Sequence, residues 1–221
     1  NNFGIHVSSS GNNTVTRNNA TLNINYGIRL SSSCDNIILR NDVSFNTYDG
    51  IWLQTSSNNT VKENHLLGNH CGIGLATSNT NIIIDNYVEN NHGGISITAS
   101  NNNTIVGNNV SSNNYGITLG VSSSFNNISK NNVSNNSYVG IQLYAASSNS
   151  ITGNKATLHK YQGICIYSSS NNNKIAHNNA TYNENGIYLY SSNNNTITGN
   201  NVDFNNVSGI YLKHASNNTV T

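Results

Sequence analysis

Apolar residues stand in this chain as isolated posts in a polar sequence, and the posts recur every 22 to 24 residues from end to end. Gly-Ile marks each lap, at Gly4, Gly27, Gly50, Gly72, Gly94, Gly116, Gly140, Gly163, Gly186 and Gly209. One variable residue follows, then an aliphatic one, as in Ile28-Arg29-Leu30 and Ile187-Tyr188-Leu189. That piece has the two-residue period of a short strand with two side chains facing inward. A second post comes about eight residues later, from Val15 and Ile38 to Ile197 and Val220. A third follows, from Ala20 and Val43 to Ala180 and Val202. No stretch keeps the i, i+3, i+4, i+7 spacing of an amphipathic helix. Three short strands joined by tight polar corners predict one coil per lap of an all-β, single-stranded parallel β-helix of about ten coils. At an interstrand spacing of about 4.8 Å the stack is roughly 45–48 Å long.

The same register explains an extreme composition. Asn supplies 51 of the 221 residues. It falls in columns: two residues before each second post (Asn13 to Asn218), three after it (Asn18 to Asn200), and three after the third post (Asn23 to Asn205). His159 alone interrupts the last column. Coils that stack place like residues above like, so side-chain amides can hydrogen-bond up a column, each donating and accepting. Asn also tolerates left-handed backbone, so these columns are expected at the corners. The Gly before each Ile is expected at a corner that needs positive φ or close approach. Residues beyond the common repeat, near Asp49, Gly120, Val139, Gln162 and Ser208, are where loops should absorb length.

Charge narrows the partners. The formal net charge is +1 and charged residues are 8% of the chain, which argues against nucleic acid or an anionic membrane surface. No apolar run approaches the roughly 18 residues of a membrane span. Cys34, Cys71 and Cys165 occupy different places in the repeat and are expected as free thiols. The repeat covers residues 1–221 as one domain. With no Met, no leader-like segment and no atypical end coil, the sequence reads as a segment of a longer repeat protein or as a unit that stacks end to end with copies of itself.

The run "GIYLYSSNNNTITGNN" resembles the right-handed parallel β-helix repeat of NosD-like and carbohydrate-binding or sugar-hydrolase domains. It is especially similar to the Asn-rich repeats of archaeal cell-surface proteins. The resemblance spans the whole chain and implies a right-handed solenoid. It does not choose a function, because pectate lyases, polygalacturonases, mannuronan epimerases, tailspikes and plain surface scaffolds share such a coil. The NosD likeness names copper, yet no Cys/Met/His cluster supports it.

Any activity must lie where the columns break. Flanking the middle Asn column, Arg17, Arg40, Asp42, Glu63, His65 and Asp85 form a charged strip on the first four coils. It reads either as a ladder of weak exposed ion pairs or, through Arg40, Asp42, Glu63 and Asp85, as a catalytic strip for a polysaccharide lyase or glycoside hydrolase. His70 and His92 align on successive coils as a weak metal pair. Tyr144, Tyr167 and Tyr190 form one aromatic column, Tyr115, Tyr138 and Tyr161 another, and Tyr188 and Tyr211 a third pair. Stacked Tyr either stabilises neighbouring coils or binds sugar rings, and Trp52, one coil from Arg29, is the best single carbohydrate-stacking candidate. Asn-x-Ser/Thr sequons abound, with Asn58, Asn102, Asn127, Asn194 and Asn217 as glycosylation candidates.

The expectation is therefore a non-catalytic, extracellular structural or adhesive module of a cell surface or sheath, with glycan binding as its recognition chemistry. Its partners would be cell-surface glycans or copies of itself. No cofactor is expected. Calcium enters only under the alternative of a polysaccharide lyase acting on the lateral face.

Overall fold

The computed structural model describes residues 1–221 as an all-β parallel solenoid of nine full laps and the start of a tenth. The first sheet has ten strands built on the Ile-x-Leu pieces, from Phe3–Ser8 and Tyr26–Ser31 to Ser208–Lys213. The second also has ten, short strands centred on the second post, from Thr14–Thr16 to Thr219–Val220. The third has five, from His65–Leu67 to Lys155–Thr157. In the outer laps this third arm shrinks to single bridges such as Asn19↔Asp42 and Asn179↔Asn201.

Register follows the repeat. Ile28 pairs with Ile51, and Ile51 with Ile73, all parallel. The posts converge in one continuous core of 34 buried residues. Gly before Ile is demanded by close approach and not by backbone sign. A Cβ on Gly94 would lie 2.4 Å from the Gly116 carbonyl oxygen and 2.5 Å from Val110 Cγ1.

The corners are held by polar ladders. Asn64 donates from its backbone N and from Nδ2 to Asn86 Oδ1, at 2.9 and 3.0 Å, and Nδ2 also donates to Ile38 O at 2.9 Å. The motif repeats up all three Asn columns, and Asn59, Asn64, Asn86 and Asn108 are fully buried. Every donor and acceptor of such an amide is used, which lets a polar side chain stay inside the coil without a desolvation penalty. A parallel serine ladder borders the first corner, where Ser56 N donates to Ser78 Oγ at 3.0 Å.

One detail differs from expectation. The left-handed residue is the one before the ladder Asn: Arg40 (φ 55) precedes Asn41 and Phe45 (φ 56) precedes Asn46. Only eight of the 35 non-Gly residues at positive φ are Asn. The ladder Asn is selected for its inward amide, and the position before it points outward, free to carry other chemistry. The three corners use that freedom differently. The first is mostly Asn, Ser, Thr and Asp, the second charged or Gly, and the third apolar at both ends of the stack. No helix is long and apolar enough to cross a membrane.

Candidate functional site

The charged strip lies on the second corner and the third sheet. Arg40 Nε meets Glu63 Oε2 at 2.6 Å, and Lys62 Nζ meets Glu63 Oε1 at 3.1 Å. The Arg40 hydrogen bond, seconded by Lys62, holds the Glu63 carboxyl below its usual range. His65 stands between Asp42 and Glu89, at 3.7 and 3.3 Å. Asp85 makes no ion pair, and its carboxylate lies over Gly107. Glu63, Asp85, Tyr87 and Asn109 border a cleft of about 360 Å³. Apart from unpaired Asp85, these are solvent-facing, mutually neutralised groups, the arrangement of a solvated ion-pair ladder.

A carboxylate–imidazole contact also lies outside this strip. Asp49 lies just before Gly50, where its lap carries one residue more than the next. Its strand begins only at Ile51, so Asp49 turns in beside the neighbouring coil. Its side chain is 12% exposed, and Oδ1 sits 3.6 Å from His70 Nδ1. Burial pushes the Asp49 carboxyl up to about 6, against the pull of His70 and of a hydrogen bond from the Cys71 backbone. It is the one acidic side chain on the outer face of the first sheet. Asp49 occupies the variable position before Gly and so belongs to none of the repeat's columns. The available signal was a lone carboxylate at an insertion.

Aromatic rings surround this pair. Tyr26 stacks on Phe3, Tyr48 and Trp52, with ring centroids 5.8 to 6.0 Å apart. The Arg29 guanidinium lies 5.4 Å from the Phe3 ring centroid and 5.6 Å from that of Tyr26, while one of its terminal nitrogens donates to Gln54 Oε1 at 2.9 Å. Trp52 lies across Gly74, where a Cβ would fall 2.5 Å from its ring and 2.9 Å from Asp49 Oδ2. Gly74 therefore makes the space that seats both groups.

His70 and His92 stack at 5.2 Å, as their columns predict. Around them no three His, Cys, Asp or Glu side chains converge. Instead they open a row of five rings that continues through Tyr115, Tyr138 and Tyr161. Two columns that look separate in the sequence are one edge of the first sheet. Farther along the same face, Tyr144 and Tyr167 meet at 5.0 Å and Tyr188 and Tyr211 at 5.3 Å. Tyr190 pairs with Tyr188 and His214. Between row and cluster the floor is low. Tyr167, Tyr188, Tyr190, Gln142 and Lys213 line a hollow of about 420 Å³, and His92, Ser96, Tyr115 and Thr118 one of about 280 Å³. Cys165 lies buried under the tyrosines, with burial pushing its thiol up to about 12, so it is an inert floor residue. All three cysteines are free thiols.

Four of the sequons, Asn58, Asn102, Asn194 and Asn217, share the exposed left-handed column of the first corner. Asn127 is exposed on the second sheet.

Solved structures with this architecture include a DFA-IIIase and alginate or mannuronan epimerases. DFA-IIIase from Arthrobacter chlorophenolicus A6 superposes with a TM-score of 0.73 at 16% identity, over 88% of this chain and 56% of that one. The A-module of mannuronan C-5 epimerase AlgE6 from Azotobacter vinelandii gives 0.69 at 14% identity, over 93% and 64%. A double mutant of the periplasmic alginate epimerase AlgG gives 0.68 at 16% identity, over 98% and 70%. The chain thus spans little more than half the DFA-IIIase chain, and at these identities the likeness is one of fold. No curated protein sequence matches the chain. A family model described as "right handed beta helix region" matches residues 3–156 and 93–221, and the chain belongs to that right-handed β-helix family.

Proposed function

We propose that this chain is a glycan-binding β-helix module that acts outside the cytoplasm, with the outer face of the first sheet as its binding surface. The observation that carries the reading is the aromatic edge running along the helix axis beside a floor of small residues. Flat rings facing solvent offer the apolar surface on which sugar rings stack, and hydroxyls and amides between them supply hydrogen bonds. Trp52, Tyr144, Tyr167 and Tyr190 all belong to this face. The sugar-directed enzymes that share this fold, one of them a periplasmic alginate epimerase, support both the ligand class and the location. The test is calorimetry against a panel of neutral and uronate-containing oligosaccharides. Trp52→Ala or Tyr167→Ala should weaken a bound glycan at least tenfold, about 1.4 kcal/mol, with circular dichroism unchanged. Unaltered affinity in both variants defeats the reading.

A second reading, saccharide turnover, is favoured by Asp49 and His70 and not by Arg40, Asp42, Glu63 and Asp85. The strip's carboxylates are exposed and mostly paired. Asp49 is buried in an aromatic cleft with an imidazole beside it, the setting of a general acid–base pair. Hydrolysis by two carboxylates needs a second acid on this face, so the chemistry that fits is proton abstraction. Turnover on that reading rises as Asp49 ionises through about pH 6 and disappears in Asp49→Asn. Full turnover in that variant excludes it.

A further inference from the structure

The third corner carries an apolar edge that neither the fold nor the glycan face uses. Its left-handed outer position holds Leu22 and Phe45 at one end of the stack, 75% and 54% exposed. At the other end it holds Leu158, Tyr182 and Phe204, 53%, 56% and 70% exposed. Between them lie the polar Asn90, Ser112 and Asn135. Four of the five exposed Leu and Phe side chains of the molecule are on this edge. Bulky residues in left-handed backbone are strained, and the other two corners fill the equivalent place mainly with polar, charged or Gly residues.

The order of these residues is nearly palindromic about Ser112. Leu22 and Phe204 are each four coils from it, Phe45 and Tyr182 three, and Gly68 and Leu158 two. The Phe45 ring leans over Gly68, and Tyr182 stacks on Phe204 at 5.2 Å. Turned end for end, the edge therefore offers apolar side chains to apolar ones, polar to polar, and Leu158 to the Phe45 ring over Gly68. A surface with that property is self-complementary under a two-fold axis. Charge sets the direction. Residues 1–110 hold six acidic and four Lys or Arg side chains, a net −2, and residues 111–221 hold two and five, a net +3. Side-by-side copies pointing the same way would oppose like charges, whereas antiparallel copies oppose unlike ones.

We propose that the third corner is a self-association surface, on which a second copy of this chain packs antiparallel about a two-fold axis near Ser112. The ridge Leu22–Phe45 of one copy lies against Tyr182–Phe204 of the other. The inference does not depend on glycan binding, since the third corner only borders the aromatic row.

Sedimentation equilibrium of the 221-residue chain, from micromolar to hundreds of micromolar, tests it. The expected result is a concentration-dependent species of twice the 23.8 kDa chain mass. Tyr182→Asp and Phe204→Asp should each return it to monomer with an unchanged circular dichroism spectrum, because both side chains are exposed. In a Cys34→Ser background, Ser112→Cys should cross-link to its symmetry mate under mild oxidation, and Leu22→Cys should not. A wild-type chain that stays monomeric throughout overturns the proposal. So does a dimer that survives both aspartate variants, or one in which Leu22→Cys cross-links to itself, the signature of parallel pairing.

Discussion

Residue by residue, the molecule depends on amides that satisfy one another, and His159 is the one place in the third ladder where the amide is missing. Its Nδ1 accepts from Asn136 N at 3.1 Å, but Nε2 is buried with no partner. Burial holds the imidazole down to about 4, from an ordinary 6.5. The folded state thus keeps His159 neutral where the unfolded chain protonates it. Stability present above about pH 6.5 should fall as pH drops toward 4, by up to about 3 kcal/mol. His159→Asn restores both ladder bonds and removes that slope. Urea midpoints at neutral pH and near pH 4.5 check it, and an unchanged pH dependence in the variant assigns the acid lability elsewhere. Asp49 has the opposite sign. Its raised carboxyl binds a proton more readily in the folded state, so ionising it as pH rises toward 6 costs stability. A carboxylate kept at that cost beside His70 and three aromatic rings is the residue-scale reason to look for function on this face.

At the scale of the element, a coil gains its stability from its two neighbours. Asn126 and Asn127 separate the two roles that Asn plays. Asn126 is buried; its Nδ2 donates to Ser100 O at 3.0 Å and Asn149 Oδ1 at 3.1 Å, and its Oδ1 accepts two bonds from Asn103. Asn127 faces solvent one residue later. Asn126→Ala should cost about 2–4 kcal/mol by stranding buried polar groups above and below, while Asn127→Ala should stay within about 0.5 kcal/mol. Denaturant unfolding of the two variants reads this directly, and similar losses would mean that the ladders are not what holds the corners. The coil was legible in the sequence because its demands repeat. Gly94 and its siblings meet a carbonyl of the next lap, Ile105 and its siblings fill the core, and Asn108 and its siblings close the corners. The left-handed positions were not legible at residue level, because the backbone there accepts Arg17, Leu22 or Glu63 as long as the next residue supplies the amide.

On the scale of the whole molecule, a uniform stack becomes specific through what its three sides carry. One corner presents exposed sequons, one presents ion pairs, one presents apolar ridges, and the first sheet carries the aromatic edge. Trp52 and the tyrosine columns could be read as ring-bearing positions from the sequence. The union of His70, His92, Tyr115, Tyr138 and Tyr161 into one row could not, because Tyr115 is in register with Gly93 and not with His92, so the His and Tyr rings meet across a one-residue offset that no column contains. The Asp49–His70 pair escaped for the same reason, since its members sit in different columns and meet only across adjacent coils. The central claim is that glycans bind along this face. Trp52 is the single tryptophan of the chain and lies on the outer face of the first sheet beside Asp49, so its emission reports on that face alone. The most direct test is a fluorescence titration with an oligosaccharide that calorimetry has shown to bind. A saturable change in Trp52 emission, with the calorimetric affinity, is the predicted result. A glycan that binds with the same affinity and leaves Trp52 emission unchanged would contradict it.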